Sequence, residues 1–375
     1  MLCLGSVYAW SIIGSELIET YSISALQSQL IFGSIIALFP TTMIFVGQLW
    51  KRLKYSYLGY ISGILFLLGY YISSLSNGNF ILLFLGIGVL TGIATGFGYW
   101  VAITAPIQWF PAKKGLITGI AAGGFGLGAI FMSEICEIML NRGFEILELL
   151  QLLGIIYGLI LIVSSHFLYQ NKDFKGNKKG YIKLVSFIKE KKFKKLFIGI
   201  FLGTFAGLLI IGGLKTIGGE FGIREHILIL GVVFFASTNF LGRLIWGFLS
   251  DYIGASLSIF IALLLQSISI LLLNVVFLNE ISFIALAMFI GFGFGGNFVL
   301  FVKETAHSYG IRDLGTVYPY VFMGYALAGI IGPISGGALF DYSGSYFYAI
   351  LIASLLSFMG SLIFLIQYFN QKKIK

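Results

Sequence analysis

Stretches of about twenty apolar residues recur from one end of this chain to the other, separated by short segments that hold nearly all of its charge. Each stretch is long enough to cross a hydrocarbon core about 30 Å thick as a helix. Inside such a core every backbone N–H and C=O must find a partner within its own segment, which selects helices over any open sheet. Charge agrees with this reading. Asp, Glu, Lys and Arg make up 10% of the 375 residues, against about 25% in soluble domains, too few to cover a water-facing surface. The chain therefore reads as an all-α membrane protein with twelve transmembrane helices. They are expected near residues 1–15, 28–47, 56–76, 79–105, 115–136, 150–169, 195–215, 228–249, 256–278, 281–302, 313–339 and 346–368. The first starts at Met1 and meets Glu16 about fifteen residues later, short of the usual seventeen or more. A natural chain that begins upstream is the expectation there.

The cations then orient the helices. Twenty of the 24 lysines and arginines fall in segments that face one side, including ten lysines between residues 170 and 195. Arg142, Lys215 and Arg224 face the other, together with ten acids. The positive-inside rule puts both termini and the central loop in the cytoplasm of a multi-pass cell-membrane protein. The net charge of +9 is accounted for by topology, so no nucleic-acid partner is expected. Two cysteines, Cys3 and Cys136, and three scattered histidines give neither a disulfide framework nor a metal-ligand spacing. No metal and no cofactor are expected, and no catalytic constellation is present.

The basic segment divides the chain into residues 1–169, a linker at 170–194, and residues 195–375. The two parts echo each other at an offset of 200 residues. Gly47 opens "GQLWKRL" after the second helix, and Gly247 opens "GFLSDYIG" after the eighth; Gly115 and Gly124 recur as Gly315 and Gly324. Two similarly oriented six-helix bundles related by an axis along the membrane normal are the expectation, with a substrate site between them near the midplane. "GFGLGA" (124–129) and "GFGFGG" (291–296) look like dinucleotide fingerprints but lie inside apolar helices, not at a strand–turn–helix junction. Close helix approach is the better account of them.

One residue breaks the charge pattern. Arg243 lies eight residues before Asp251, about 12 Å along a helix, inside the hydrocarbon region. A cation there costs roughly 2.5–3.5 kcal/mol on insertion scales. It either snorkels or bonds backbone carbonyls, or it holds an anion that the protein does not itself supply. No Asp or Glu falls in the middle of any expected span, and a planar guanidinium suits a carboxylate held bidentately. Asn239, one turn earlier, shares its helix face. Tyr318 and Tyr325, seven apart, share a face of the eleventh helix. Their hydroxyls would donate to a carboxylate. Glu134, near the outer end of the fifth helix, is the candidate for proton coupling.

"GSVYAWS" (5–11), "WFPAKKGLITGIAAGGFGLGA" (109–129), "GLLIIGGLKTIG" (207–218) and "GRLIWGFLSD" (242–251) resemble the oxalate–formate antiporter family of the major facilitator superfamily, over nearly the whole chain. The resemblance implies a major facilitator fold and secondary transport of a small organic anion, by exchange or proton symport. It also implies that Arg243 binds substrate, and it makes Tyr8 and Trp10 of "YAW" candidates for the site. Gly47, Arg52, Gly247 and Asp251 would serve the conformational gate. Two departures matter. Related proton-coupled monocarboxylate transporters carry an acid where Asn239 stands, and an amide cannot carry a proton. The oxalate transporter of the family has a lysine in the eleventh helix, where Met323 aligns here. One buried cation matches one carboxylate, which favours formate, lactate or pyruvate over oxalate. A dicarboxylate exchanger and a non-transporting membrane sensor stand as alternatives, and a monomer is expected.

Overall fold

Hydroxyl-bearing residues inside the apolar runs turn back onto their own helices. Thr204 Oγ1 donates to the Ile200 carbonyl at 2.6 Å, Thr305 to Phe301 at 2.7 Å and Ser62, across to a neighbour, to Ala94 at 2.7 Å. A polar side chain satisfied in this way adds little cost in lipid. The computed structural model describes residues 1–23, 25–50, 52–170, 187–275 and 279–374, and among them every regular element is a helix.

Helix α1 spans residues 2–21 in three pieces: Leu2–Gly5, a 3-10 turn at Ser6–Ala9, and Trp10–Tyr21. Then come α2 (Ala25–Leu49), α3 (Tyr55–Ser74), α4 (residues 80–107), α5 (Lys114–Asn141) and α6 (Ile146–His166). The remainder are α7 (Lys191–Glu220), α8 (Glu225–Ile253), α9 (Ala255–Val275), α10 (Glu280–Tyr309), α11 (Ile311–Ser343) and α12 (Phe347–Ile374). Eleven of them, α2 to α12, are long and apolar enough to cross a membrane. Within α4 the stretch Phe84–Thr91 is π-helical.

Several boundaries differ from the sequence reading, three of them at charged segments. Helix α1 continues past residue 15 to Tyr21 and carries Glu16 and Glu19 within it. Helix α10 continues past residue 302 to Tyr309, which brings Lys303 and Glu304 into the helix. A hydropathy window stops at the first charge, whereas a helix stops only where its backbone is capped. Residues 171–186 of the expected linker 170–194 lie outside the described residues, and α7 takes up its last four. Single glycines join α8 to α9 and α10 to α11. Gly254 and Gly310 have φ of 86° and 83°, a region where a Cβ is strained.

The helices group into two compact units: Met1–Trp109 with Gly124–Gly180, and Phe110–Gly123 with Tyr181–Lys375. In the first unit α3 packs on α6 and on α4, and α2 on α4. In the second unit the same pattern recurs two hundred residues on: α9 packs on α12 and α10, and α8 on α10. The glycine echo follows it. Gly124 faces α1, with Met1 Cβ 3.4 Å from where its own Cβ would be, and Gly324 faces α7, with the Phe197 carbonyl oxygen 2.7 Å away. Helix α5 is divided between the units at Gly123, so its start, residues 114–123, is part of the second unit's packing.

Candidate functional site

Arg243 is 2% exposed, so it does not snorkel. Its guanidinium is held from three directions inside the second unit. Nε donates to Asn239 Oδ1 at 3.2 Å, one turn back on α8. Nη1 donates to the Ala122 carbonyl of α5 at 2.7 Å. The plane lies over the Phe298 ring of α10, 4.3 Å from its centroid, a contact worth about 0.5–2 kcal/mol. A guanidinium has five N–H donors, and these bonds use two of them. Among the described residues no carboxylate lies within ion-pair distance of Arg243.

The aromatic surroundings come from α10 and α11. Phe298 meets Tyr325 edge-on at 5.4 Å and Phe294 at 5.3 Å. Phe322 stacks on Tyr325 at 4.9 Å and on Tyr318 at 5.4 Å. Tyr318 and Tyr325 therefore form one buried aromatic column, as their spacing requires, with Phe322 between them. The column is continuous with the ring beneath Arg243. Such an array excludes water from the guanidinium's face and leaves its edge as the polar feature.

Lower on α8 a second charged group has a different construction. Asp251 accepts from the backbone N–H groups of Gly115 and Leu116 at 3.0 Å each, at the start of α5. Its Oδ1 also takes Lys303 Nζ of α10 at 2.5 Å, and Lys303 donates to Ser250 Oγ at 3.1 Å. An anion on orphan N–H groups at a helix start is the favourable sign for the helix dipole. Between the two groups the backbones of α5 and α8 nearly touch. A Cβ on Gly247 would lie 2.6 Å from the Gly115 carbonyl oxygen, and one on Gly119 would lie 2.7 Å from that of Arg243. Bulk at either glycine would force the helices apart.

The other residues singled out by sequence have the following surroundings. Trp10 belongs to the first unit, 5% exposed, with its indole N–H donated to Ser28 Oγ at 3.2 Å. Tyr8 belongs to the same unit; its side chain is outside the described set. Gly47 is buried, Arg52 is exposed, and Glu134 is exposed on α5. Among the described residues no group of three His, Cys, Asp or Glu could hold a metal ion.

Sequence reasoning missed four residues. Phe298 and Ala122 are unremarkable letters in apolar runs, and only tertiary packing brings them to Arg243. Lys303 and Glu304 were read as a loop. Glu304 is 1% exposed and accepts from Gln367 Nε2 at 2.6 Å and Gln371 Nε2 at 3.3 Å. With Asp251, Lys303 and Lys372 it lines a cavity of about 420 Å³. A charge continuing a helical face beyond an apolar window was the signal available.

Residues 196–374 match the model of the Major Facilitator Superfamily. An uncharacterised transporter of that type, YhjX of Escherichia coli (strain K12), is 27% identical over 87% of this chain and 82% of its own length. The oxalate:formate antiporter of Oxalobacter formigenes is 26% identical over 72% of this chain and 66% of its own. Among solved structures, the fucose:proton symporter of E. coli superposes with a TM-score of 0.75 at 15% identity, covering 97% of each chain. A bacterial homologue of the iron transporter ferroportin gives 0.73 at 14% identity, covering 97% of this chain and 96% of that one.

Proposed function

We propose that the chain is a carrier of the Major Facilitator Superfamily, moving small solutes by alternating access, and that its substrate is a small monocarboxylate. Formate, lactate and pyruvate are the candidates. The observation that carries the proposal is Arg243: a cation 2% exposed, with three N–H donors left over and no acid beside it among the described residues. A buried cation without a counter-ion is costly. A substrate carboxylate supplies that charge while the carrier is loaded.

In this reading Asn239 orients the guanidinium and Phe298 fixes its plane. Tyr318 and Tyr325 wall the site; Tyr8 and Trp10 are substrate candidates on the sequence resemblance alone. Asp251, Gly247, Gly47 and Arg52 act in the gate, and Glu134 is held as the coupling acid if protons are moved. Residues 1–169 and 195–375 act as the two rocking bundles about the linker at 170–194, with both termini in the cytoplasm of the cell membrane and the chain working as a monomer. A dicarboxylate such as oxalate is the second reading, favoured by the name of the Oxalobacter relative. Against it, Met323 stands where a second cation would be, and Lys303, another embedded cation, is already paired with Asp251.

Counterflow in proteoliposomes tests the proposal with labelled formate, lactate, pyruvate and oxalate. Saturable exchange of a monocarboxylate, lost in Arg243→Gln, is the expected result. Preference for oxalate would favour the second reading. Equal flux in wild type and variant would make Arg243 a structural residue, and ligand stabilisation without flux would indicate a sensor.

A further inference from the structure

We infer that the main-chain carbonyl of Ala122 is the resting partner of Arg243, displaced when substrate binds, so that loading unfastens α5 from α8. The inference rests on the carboxylate reading above and adds a coupling step to it. Helix α5 is fastened to α8 at two points. At its start Asp251 takes the Gly115 and Leu116 N–H groups at 3.0 Å. Two turns further on, Arg243 Nη1 reaches the Ala122 carbonyl at 2.7 Å. Between these points Gly115, Gly119 and Gly247 let the backbones meet directly. No side-chain layer cushions the contact, so the fastening is made of backbone groups and two charges.

The two fasteners are of different kinds. Asp251 is a charged acceptor already matched by Lys303, and nothing in a carboxylate substrate would compete for it. The Ala122 carbonyl is a neutral acceptor inside a helix, where it shares its lone pairs with the helical N–H four residues on. A carboxylate is the stronger partner for a guanidinium and prefers two of its N–H groups at once. When an anion reaches the site, the bond to Ala122 is therefore the one that yields. A hydrogen bond to a charged group is worth roughly a tenfold to hundredfold bias in an equilibrium. Unloaded carrier is held in the fastened arrangement by that factor, and loaded carrier is not. The direct functional consequence is exchange in preference to net leak, because reorientation without substrate must break the clasp unaided.

Hydrogen–deuterium exchange of the peptide covering residues 113–123, on the full chain in nanodiscs, reads the clasp. The Gly115 and Leu116 amides, held by Asp251, are the readout: with the Ala122 bond gone Asp251 alone fastens α5, and they open more often. Unloaded wild type is expected to be protected. The carboxylate that gives counterflow should speed exchange roughly tenfold or more. Arg243→Gln should exchange fast with or without it, while staying monodisperse with an unchanged melting temperature; Arg243→Lys should fall between. Asp251→Asn serves as the positive control for the readout. Unloaded Arg243→Gln as protected as wild type would overturn the inference. So would a wild type that transports the carboxylate with no change in exchange, and that result would leave the monocarboxylate reading intact. Absence of carboxylate transport would remove that reading instead, and with it the displacement step.

Discussion

Two embedded cations in the second unit, Arg243 on α8 and Lys303 on α10, are built in opposite ways. Lys303 has an acid within 2.5 Å, and that acid also holds the start of α5. Arg243 is more deeply buried and has two neutral acceptors and an aromatic ring. A matched pair is complete without a ligand, so it can fix structure. A cation given only dipoles and a ring keeps most of its charge uncompensated, and that charge is available to an anion that arrives and leaves. On the proposed reading, the difference separates a structural charge on α10 from a binding charge on α8.

The largest effect expected comes from Arg243→Gln. Losing a bidentate, charge-assisted contact should lower counterflow roughly a hundredfold or more, with the fold kept, because no acid is left stranded. Asp251→Asn breaks the other side of the comparison. It strands Lys303 and one of the two backbone N–H groups, since an amide keeps one acceptor oxygen, and should destabilise the protein by about 2 kcal/mol in denaturation; adding Lys303→Gln should restore at least half of that, a double-mutant test of the pair. Gly247→Ala leaves both charges in place but wedges the backbones between them. Overpacking of this kind costs about 1–3 kcal/mol and should lower turnover about tenfold.

Asn239→Asp would turn the binding charge into a matched one. At pH 7.5 the new carboxylate neutralises Arg243 and should weaken substrate affinity about tenfold. Uptake by Asn239→Asp should stay low from pH 8 to pH 5; recovery within that range would mean that the acid does not pair with Arg243. Trp10→Phe should matter least. It removes one bond to Ser28, about 1 kcal/mol, and uptake should stay within twofold.

Much of the fold was readable because lipid leaves few choices. Apolar length gave the helices. The echo of Gly124 in Gly324 has a packing counterpart, α5 on α1 and α11 on α7. Arg243 and Asn239 were readable as a pair because one helical turn puts them together. The rest of the site was not, for a physical reason. Ala122 and Phe298 reach Arg243 from 121 residues before it and 55 after, and their types carry no local signal. Glu304 and Lys303 were lost because hydropathy marks where water begins, whereas α10 ends at the backbone turn of Gly310.

Equilibrium binding of labelled formate, lactate, pyruvate and oxalate to purified wild-type and Arg243→Gln protein tests the central claim most directly. The account predicts saturable binding of a monocarboxylate, weaker binding of oxalate, and loss of both in the variant. Monocarboxylate binding unchanged by Arg243→Gln would contradict it.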